Sequence, residues 1–209
     1  MDTRIQHVEQ GATAYQRQIV LLQIITVVWM CIEAAVAVFA AVRAQSVALL
    51  GFGLDSVIEL ASAIVVLMRF NKDSHLNERA ASRIAGILLF ILAVFITASS
   101  ILALTSSRFQ PAPSYLGIAL LIAAALAMPS LARRKRALSA KTKSGSLKAD
   151  AVQSSTCAYL AWIALGGLVL NAVFKLTWAD PVAAMCLLPI VVREGGEALK
   201  GKAACDCAH

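Results

Sequence analysis

Long apolar runs, separated by polar and charged stretches, make up most of the chain. Six of them approach the length of about 20 residues that an α-helix needs to cross a bilayer. They cover residues 19–42, 47–68, 84–104, 115–131, about 149–174 and 176–192. The pattern therefore predicts an all-α membrane protein with six transmembrane helices. In the last run Pro189 is expected to kink the helix, which has room to continue to Leu199.

Two acidic residues interrupt the second run, within the stretch SVALLGFGLDSVIELASA at residues 46–63. A charge at the centre of a membrane helix costs about 2.5–3.5 kcal/mol on the insertion scale, so Asp55 and Glu59 need an explanation. Four residues apart, they project from one helix face, where two carboxylates repel unless a proton or a cation lies between them. A divalent cation is the simplest partner. The alternative is an acidic pair that stays protonated and serves packing.

The composition fits a membrane protein. Of the 209 residues 59% are hydrophobic and only 15% are charged, which excludes an ordinary soluble domain. Sixteen of the 19 Lys and Arg residues fall on one side of the six predicted spans. By the positive-inside rule both termini are then cytoplasmic, in a multi-pass protein of the cell (inner) membrane without a removable signal peptide. The basic loop 133–148 is expected to lie against anionic lipid heads rather than nucleic acid, because no aromatic residues interleave its charges.

The fifth run opens with a second set of candidate ligands. Gln153 and Cys157 are four residues apart on one helix face, and Asp150 and Ser154 lie on or next to that stripe. Together with the acidic pair, an amide and a thiolate would complete a tetrahedral cage for a divalent ion, and the thiolate favours zinc or cadmium. Small polar residues in membrane helices also serve as packing contacts. Because an amide is a poor metal ligand, the alternative role of Gln153 is to orient Cys157 or a water.

With these motifs the chain resembles the transmembrane domain of the cation diffusion facilitator family. The resemblance covers residues 18–200 and is carried by SVALLGFGLDSVIE, ERAASRIAG, LKADAVQSS and WADPVAAM. It implies a homodimeric transporter that exports zinc, cadmium or another transition metal from the cytoplasm in exchange for protons. The family's central site takes Asp-x-x-x-Asp from the second helix and His-x-x-x-Asp from the fifth. Those four places are occupied here by Asp55, Glu59, Gln153 and Cys157.

The candidate site departs from the family pattern at three of its four places. Glu59 replaces the second Asp, and Gln153 and Cys157 replace the His and Asp of the fifth helix. Gln cannot titrate, so proton coupling would fall on Glu59, Asp55 or the thiol. The metal preference is expected to shift towards softer ions.

The two ends of the chain are predicted to lie outside the membrane domain. Residues 1–17 form a polar cytoplasmic segment, and residues 201–209 form a cytoplasmic tail where the family usually has a folded domain. A dimer would then be held by the membrane helices. Within the tail Cys205, Cys207 and His209 are candidate accessory metal ligands; the alternative is a disordered end that happens to hold thiols.

Three further acidic residues each have two interpretations. Glu33, in the middle of the first run, is either a second proton carrier, like Glu59, or the partner of a cation or polar group on a neighbouring helix. Asp150 is either an accessory metal ligand at the cytoplasmic mouth or the cap of the fifth helix, with capping preferred. Asp180 precedes a proline, so a helix start is preferred to a metal site.

Two other functions stay open at this point. The chain is alternatively a membrane metal sensor or interaction subunit that binds the ion without moving it, or a proton-coupled exporter of organic cations that uses Glu33. No nucleophile–base pair and no nucleotide-binding loop is apparent, so we do not expect an enzyme. The expected partners are a metal ion as cargo, protons, the bilayer and a second copy of the chain.

Overall fold

The structure, a computed structural model, describes residues 2–69, 78–105, 111–142 and 145–200. In this part of the chain there are six α-helices and no β-strand, which confirms the all-helical prediction. The helices are α1 (Asp2–Ala44), α2 (Val47–Arg69), α3 (Glu78–Thr105), α4 (Tyr115–Thr142), α5 (Gly145–Phe174) and α6 (Ala179–Leu199).

Helix boundaries follow the apolar runs at some ends and pass beyond them at others. α2 begins at Val47 and α6 continues to Leu199, both as predicted. The fourth helix does not end near Leu131 but continues to Thr142, so most of the predicted basic loop is helix. The continuation has a physical reason, because the residues buried along α4 keep a spacing of three or four beyond the apolar run. Near this end of α4 they are Met128, Ala132, Lys135 and Ser139.

Side-chain caps fix the start of two helices. The backbone N–H of Leu49 donates to the hydroxyl of Ser46 at 3.1 Å, directly before α2. The N–H of Gly117 donates in the same way to Ser114 at 3.1 Å, directly before α4. Each serine satisfies one of the amides that a helix leaves unpaired at its N-terminus. α1 ends at Ala44, and the φ of 52° at the next residue, Gln45, gives the left-handed turn that leads into α2.

The distribution of polar and apolar side chains is compatible with a membrane protein. Large apolar side chains face outward, with Val94 70% and Leu21 60% exposed, while the interior contains carboxylates, hydroxyls and an ammonium group. Four stretches in the described residues are long and apolar enough to cross a membrane: Arg17–Ala44, Gly86–Thr105, Tyr115–Thr142 and Asp150–Phe174. Spanning by α2 and α6 and the cytoplasmic location of the termini stay predictions.

α2 is the central helix of the bundle. It packs against α1, α3, α5 and α6, while α4 runs along α5 and α3 along α6. Small residues permit close approach: a Cβ on Gly53 would lie 3.2 Å from the backbone nitrogen of Val38 in α1. A Cβ on Gly86 of α3 would lie 2.9 Å from the carbonyl oxygen of Gly195 in α6. Such contacts are typical of helices that associate within lipid.

The bundle has two distinct ends. At one, which we call the hairpin end, the segments 44–46, 111–114 and 171–180 meet: Ala112 N–H donates to the carbonyl of Ala44 at 2.8 Å, and the amide of Asn171 to the carbonyl of Pro111 at 2.8 Å. At the other, the basic end, the end of α4 lies beside α1, with the Lys141 ammonium 5.9 Å from the ring centre of Tyr15. The candidate ligands lie between these ends.

Candidate metal centre

The acidic pair of α2 lies in the interior of the bundle. Asp55 is 3% exposed and Glu59 is completely buried. Glu59 accepts a hydrogen bond from the hydroxyl of Ser154 in α5 at 2.9 Å. Asp55 is close enough to Glu33 of α1 and Glu194 of α6 to interact with both electrostatically. Three helices besides α2 therefore contribute polar groups around the pair.

Glu33 of α1 binds polar groups on two neighbouring helices. Its carboxylate accepts hydrogen bonds from the indole N–H of Trp29 at 2.6 Å and the hydroxyl of Ser56 in α2 at 2.8 Å. The thiol of Cys157 in α5 is the third donor, with 3.6 Å between Sγ and Oε1. Glu33 is therefore paired with polar groups on neighbouring helices, as one of its two interpretations expected. A role in carrying protons stays a prediction.

The face of α5 that points to the interior differs from the predicted pair, Gln153 and Cys157. Asp150, Ser154 and Cys157 are all buried and follow one another by four and three residues, so they form one stripe. Gln153 lies beside this stripe and is only half-buried. Within the described residues no hydrogen bond joins Gln153 to Asp55, Glu59 or Cys157. Cys157 is close enough to Glu59 and Asp55 to interact with both electrostatically, whereas Gln153 lies at the margin.

A buried lysine lies beside the predicted ligands and was missed by the sequence interpretation, which assigned it to the basic loop. The side chain of Lys135 in α4 is completely buried, and its ammonium nitrogen is 2.8 Å from Asp150 Oδ2 and 2.8 Å from Ser154 Oγ. Asp150 Oδ2 also accepts a 2.7 Å hydrogen bond from the amide of Gln23 in α1. In the structure Lys135 continues the three- and four-residue spacing of the buried face of α4, a pattern that the charged residues around it hide in the sequence.

Glu194 of α6 is a second charged residue that the sequence interpretation left out. It is half-buried, lies beside Thr156 of α5 and interacts electrostatically with Asp55. It directly follows the last apolar run, where the sequence alone does not distinguish it from a surface residue. Only the packing of α6 against α2 and α5 shows that it faces the acidic pair.

Acidic groups outnumber basic groups in this region. Five carboxylates, those of Glu33, Asp55, Glu59, Asp150 and Glu194, form what we call the acidic cluster. Each of them interacts electrostatically with Asp55 or with Glu59. Among the side chains whose burial the structure describes, Lys135 is the only buried Lys or Arg. In a low-dielectric interior such an excess of negative charge is stable only if protons or cations neutralise it. The cluster is thus suited to holding a cation, protons or both in turn.

Several acceptor oxygens in the region have no hydrogen-bond donor. The buried atoms Glu59 Oε2, Asp150 Oδ1 and Gln23 Oε1 are unpaired in the described part of the chain. Each belongs to a group whose other polar atom takes part in the network around Lys135 and Ser154. Buried acceptors without donors are costly and mark places where a water, a proton or an ion can bind.

The ligand-type side chains are close together but not at coordination spacing. Within the described ranges no three His, Cys, Asp or Glu side chains are placed so that they could hold a metal ion. The candidate accessory ligands Cys205, Cys207 and His209 lie outside the described residues. Metal coordination by Asp55, Glu59 and Cys157 therefore requires side-chain movement relative to this structure.

Asp180 and Asp150 have different surroundings from those expected. Asp180 lies in the first turn of α6, as predicted, but its carboxylate also accepts hydrogen bonds from the Val47 N–H at 2.8 Å and from the hydroxyl of Ser46. It therefore holds the N-terminus of α2. The preferred interpretation of Asp150 as a helix cap is wrong, because α5 begins at Gly145 and Asp150 pairs with Lys135 inside the bundle.

Comparisons of the sequence with models of protein families and with curated proteins find no match. The resemblance to cation efflux proteins accordingly stays a prediction from the motifs, and the chemistry of the site has to support any function on its own.

Proposed function

We propose that the protein transports a divalent metal cation across a membrane, with zinc favoured and cadmium also accepted. The observation that carries this proposal is the acidic cluster around the thiol of Cys157, inside a helical bundle with an apolar surface. Ionisable groups within membrane helices face the interior of the protein, and there they mark the pathways of ions or protons. With five carboxyl groups and one buried lysine, the cluster has four acidic groups that Lys135 cannot neutralise.

The donor atoms favour a borderline metal. Carboxylate oxygens bind hard and borderline ions, and a thiolate shifts the preference from magnesium or calcium towards zinc and cadmium. We assign Asp55, Glu59 and Cys157 as ligands. For the fourth place Glu33 is better situated than Gln153, because it already contacts the thiol of Cys157 whereas Gln153 is half-buried beside the stripe.

Proton exchange fits the same residues. A carboxylate that releases a metal in a low-dielectric site is neutralised most readily by a proton, so the two cargoes compete for Glu59, Asp55 and Glu33. We propose export from the cytoplasm by alternating access, in which helix groups rock around a fixed site. On this proposal all six helices span the membrane, both termini are cytoplasmic, and two copies associate through exposed apolar helix faces.

A second candidate function is a membrane metal sensor that binds the ion without moving it. One observation favours it: the ammonium group of Lys135, 2.8 Å from Asp150 within the acidic cluster, obstructs the passage of an ion along α5. A sensor requires binding but no passage through the bundle, so flux separates the two functions.

The test is zinc flux into proteoliposomes that contain the purified protein and a trapped zinc-sensitive dye, with and without an imposed proton gradient. Wild type is compared with Asp55→Asn, which keeps the shape of the side chain, and with Glu197→Gln, which removes a carboxylate that is 52% exposed on the same bundle. We expect gradient-dependent flux in wild type and Glu197→Gln and background flux in Asp55→Asn. Equal flux in all three would contradict the proposal. Zinc binding without flux would favour the sensor.

A further inference from the structure

Lys135 is in an unusual position for a cation. Its ammonium group lies inside the bundle with no exposed surface, held by Asp150 at 2.8 Å and Ser154 at 2.8 Å. Ser154 in turn donates to Glu59 at 2.9 Å. One continuous chain of polar contacts thus joins α4, α5 and α2 and ends on a carboxylate of the proposed site.

The contacts of Lys135 do not satisfy the acceptors around it. The two carboxylates at the ends of this series of contacts are Asp150 and Glu59. Each has one oxygen bonded within the series and one buried oxygen without a donor in the part of the protein that the structure describes. An ion pair that serves only folding is stabilised when the remaining lone pairs are satisfied as well. Here two carboxylates have acceptor capacity left over for a second cation.

Lys135 also lies on the route between the basic end and Cys157. Asp150, its partner, precedes Cys157 by seven residues on α5, which corresponds to about 10 Å along the helix axis in the direction of the basic end. A cation that moves along the buried stripe of α5 from the basic end would meet Asp150 and Lys135 before Glu59 and Cys157.

We propose that Lys135 is a tethered counter-cation of the transport path, which a divalent cation must displace from Asp150 and Ser154 in order to reach Glu59. The inference rests on the proposed function and adds a residue that sets affinity. A fixed positive charge beside the site repels the incoming ion, and its displacement frees Asp150 Oδ2 and the hydroxyl of Ser154. Lys135 thereby lowers the affinity for metal and keeps release possible.

The test is calorimetric titration of Zn²⁺ and of Cd²⁺ into the full chain in lipid nanodiscs, followed by zinc flux at several zinc concentrations. Lys135→Met removes the charge and keeps much of the volume. The matched control is Lys141→Met, which makes the same change on an exposed position of the same helix. Lys135→Arg retains the positive charge.

We expect Lys135→Met to bind zinc about tenfold more tightly or better, with a lower half-saturating concentration and a lower maximal flux. Lys141→Met and Lys135→Arg should stay within about threefold of wild type, because neither changes the charge beside the site. If Lys135→Met does not fold, Lys135→Met/Asp150→Asn is compared with Asp150→Asn, and the double variant should be the tighter binder. A merely structural lysine would leave affinity unchanged or weaker, while stability falls.

The outcomes separate this inference from the proposed function. If wild type binds zinc and Lys135→Met binds it equally or more weakly, the role of Lys135 is overturned and the proposed transport stands. The same holds if the double variant binds zinc no more tightly than Asp150→Asn. If neither Zn²⁺ nor Cd²⁺ binds to wild type or to any variant, the proposed function fails and the inference fails with it.

Discussion

Two buried carboxylate regions of this bundle differ in how completely their oxygens are paired. At the hairpin end Asp180 accepts hydrogen bonds from the Ser46 hydroxyl and from the backbone N–H groups of Val47 and Ala48. Towards the basic end Glu59 and Asp150 each retain a buried oxygen that has no donor among the described residues. Saturation by neutral donors on a helix N-terminus is the pattern of a structural cap. Unpaired oxygens among like charges are the pattern of a site that binds something else.

This contrast shows why burial alone does not identify a functional carboxylate. Asp180 and Glu59 are both almost fully buried in the same domain. What separates them is the supply of donors and the charge of their neighbours. The following predictions test that separation, from the largest expected effect to the smallest.

Replacement of Asp180 should destabilise the fold without changing metal binding. Asp180→Ala leaves buried donors of Ser46, Val47 and Ala48 without an acceptor, so we expect a loss of about 3 kcal/mol in the free energy of unfolding. Thermal unfolding in detergent measures the loss, and titration of the folded fraction with zinc should give the affinity of wild type. A loss of zinc binding at unchanged stability would reverse the roles of the two regions.

Replacement of Glu59 should have the opposite outcome. Glu59→Gln retains an acceptor for the hydroxyl of Ser154 but removes the charge, so we expect the fold to persist while zinc flux falls by about a hundredfold. The initial rate of dye response in proteoliposomes measures it, with Glu197→Gln as control. Wild-type flux in Glu59→Gln would remove this carboxylate from the site.

Replacement of the buried thiol should change selectivity rather than overall activity. Cys157→Asp supplies a hard oxygen where a soft sulfur contacts Glu33, so the cadmium-to-zinc preference should fall by about tenfold. Competition between the two metals in the flux assay measures the ratio. Cys186→Ser removes an exposed thiol and should leave the ratio unchanged. An unchanged ratio in Cys157→Asp would mean that this thiol does not contact the metal.

The smallest expected effects are those of replacing two neighbouring residues on α5, Ser154 and Gln153. Ser154→Ala removes the hydroxyl that links Lys135 to Glu59 by two hydrogen bonds, and it should lower the free energy of unfolding by about 1 kcal/mol. Gln153→Ala, at a half-buried position, should cost less than about 0.5 kcal/mol and leave zinc affinity unchanged. Thermal unfolding and zinc titration of both variants check this order. A larger loss of affinity in Gln153→Ala would restore Gln153 as a ligand.

Much of the fold could be predicted because apolar runs of sufficient length define helices with little help from tertiary structure. The start of α2 at Val47 and the end of α6 at Leu199 are examples. The extension of α4 could not be predicted in this way, because its Lys and Arg residues resemble a surface loop. The spacing of the buried face shows the helix only once its partner helix is known.

The candidate site could be predicted only in part, for a related reason. Asp55 and Glu59 are conspicuous because a charge inside an apolar helix is costly. Lys135 and Glu194 lie in segments rich in charged residues, where one buried side chain looks no different from its exposed neighbours. Their burial depends on how α4 and α6 pack against the other helices, which is a long-range property of the bundle.

The central claim is that the acidic cluster binds a divalent cation and the saturated carboxylate at the hairpin end does not. Titration of Zn²⁺ into the purified protein in nanodiscs, for wild type, Asp55→Asn and Asp180→Asn, tests it most directly. The account predicts that wild type and folded Asp180→Asn bind zinc with similar affinity and that Asp55→Asn binds at least about tenfold more weakly. Equal affinity in Asp55→Asn, or a loss of binding confined to Asp180→Asn, would contradict it.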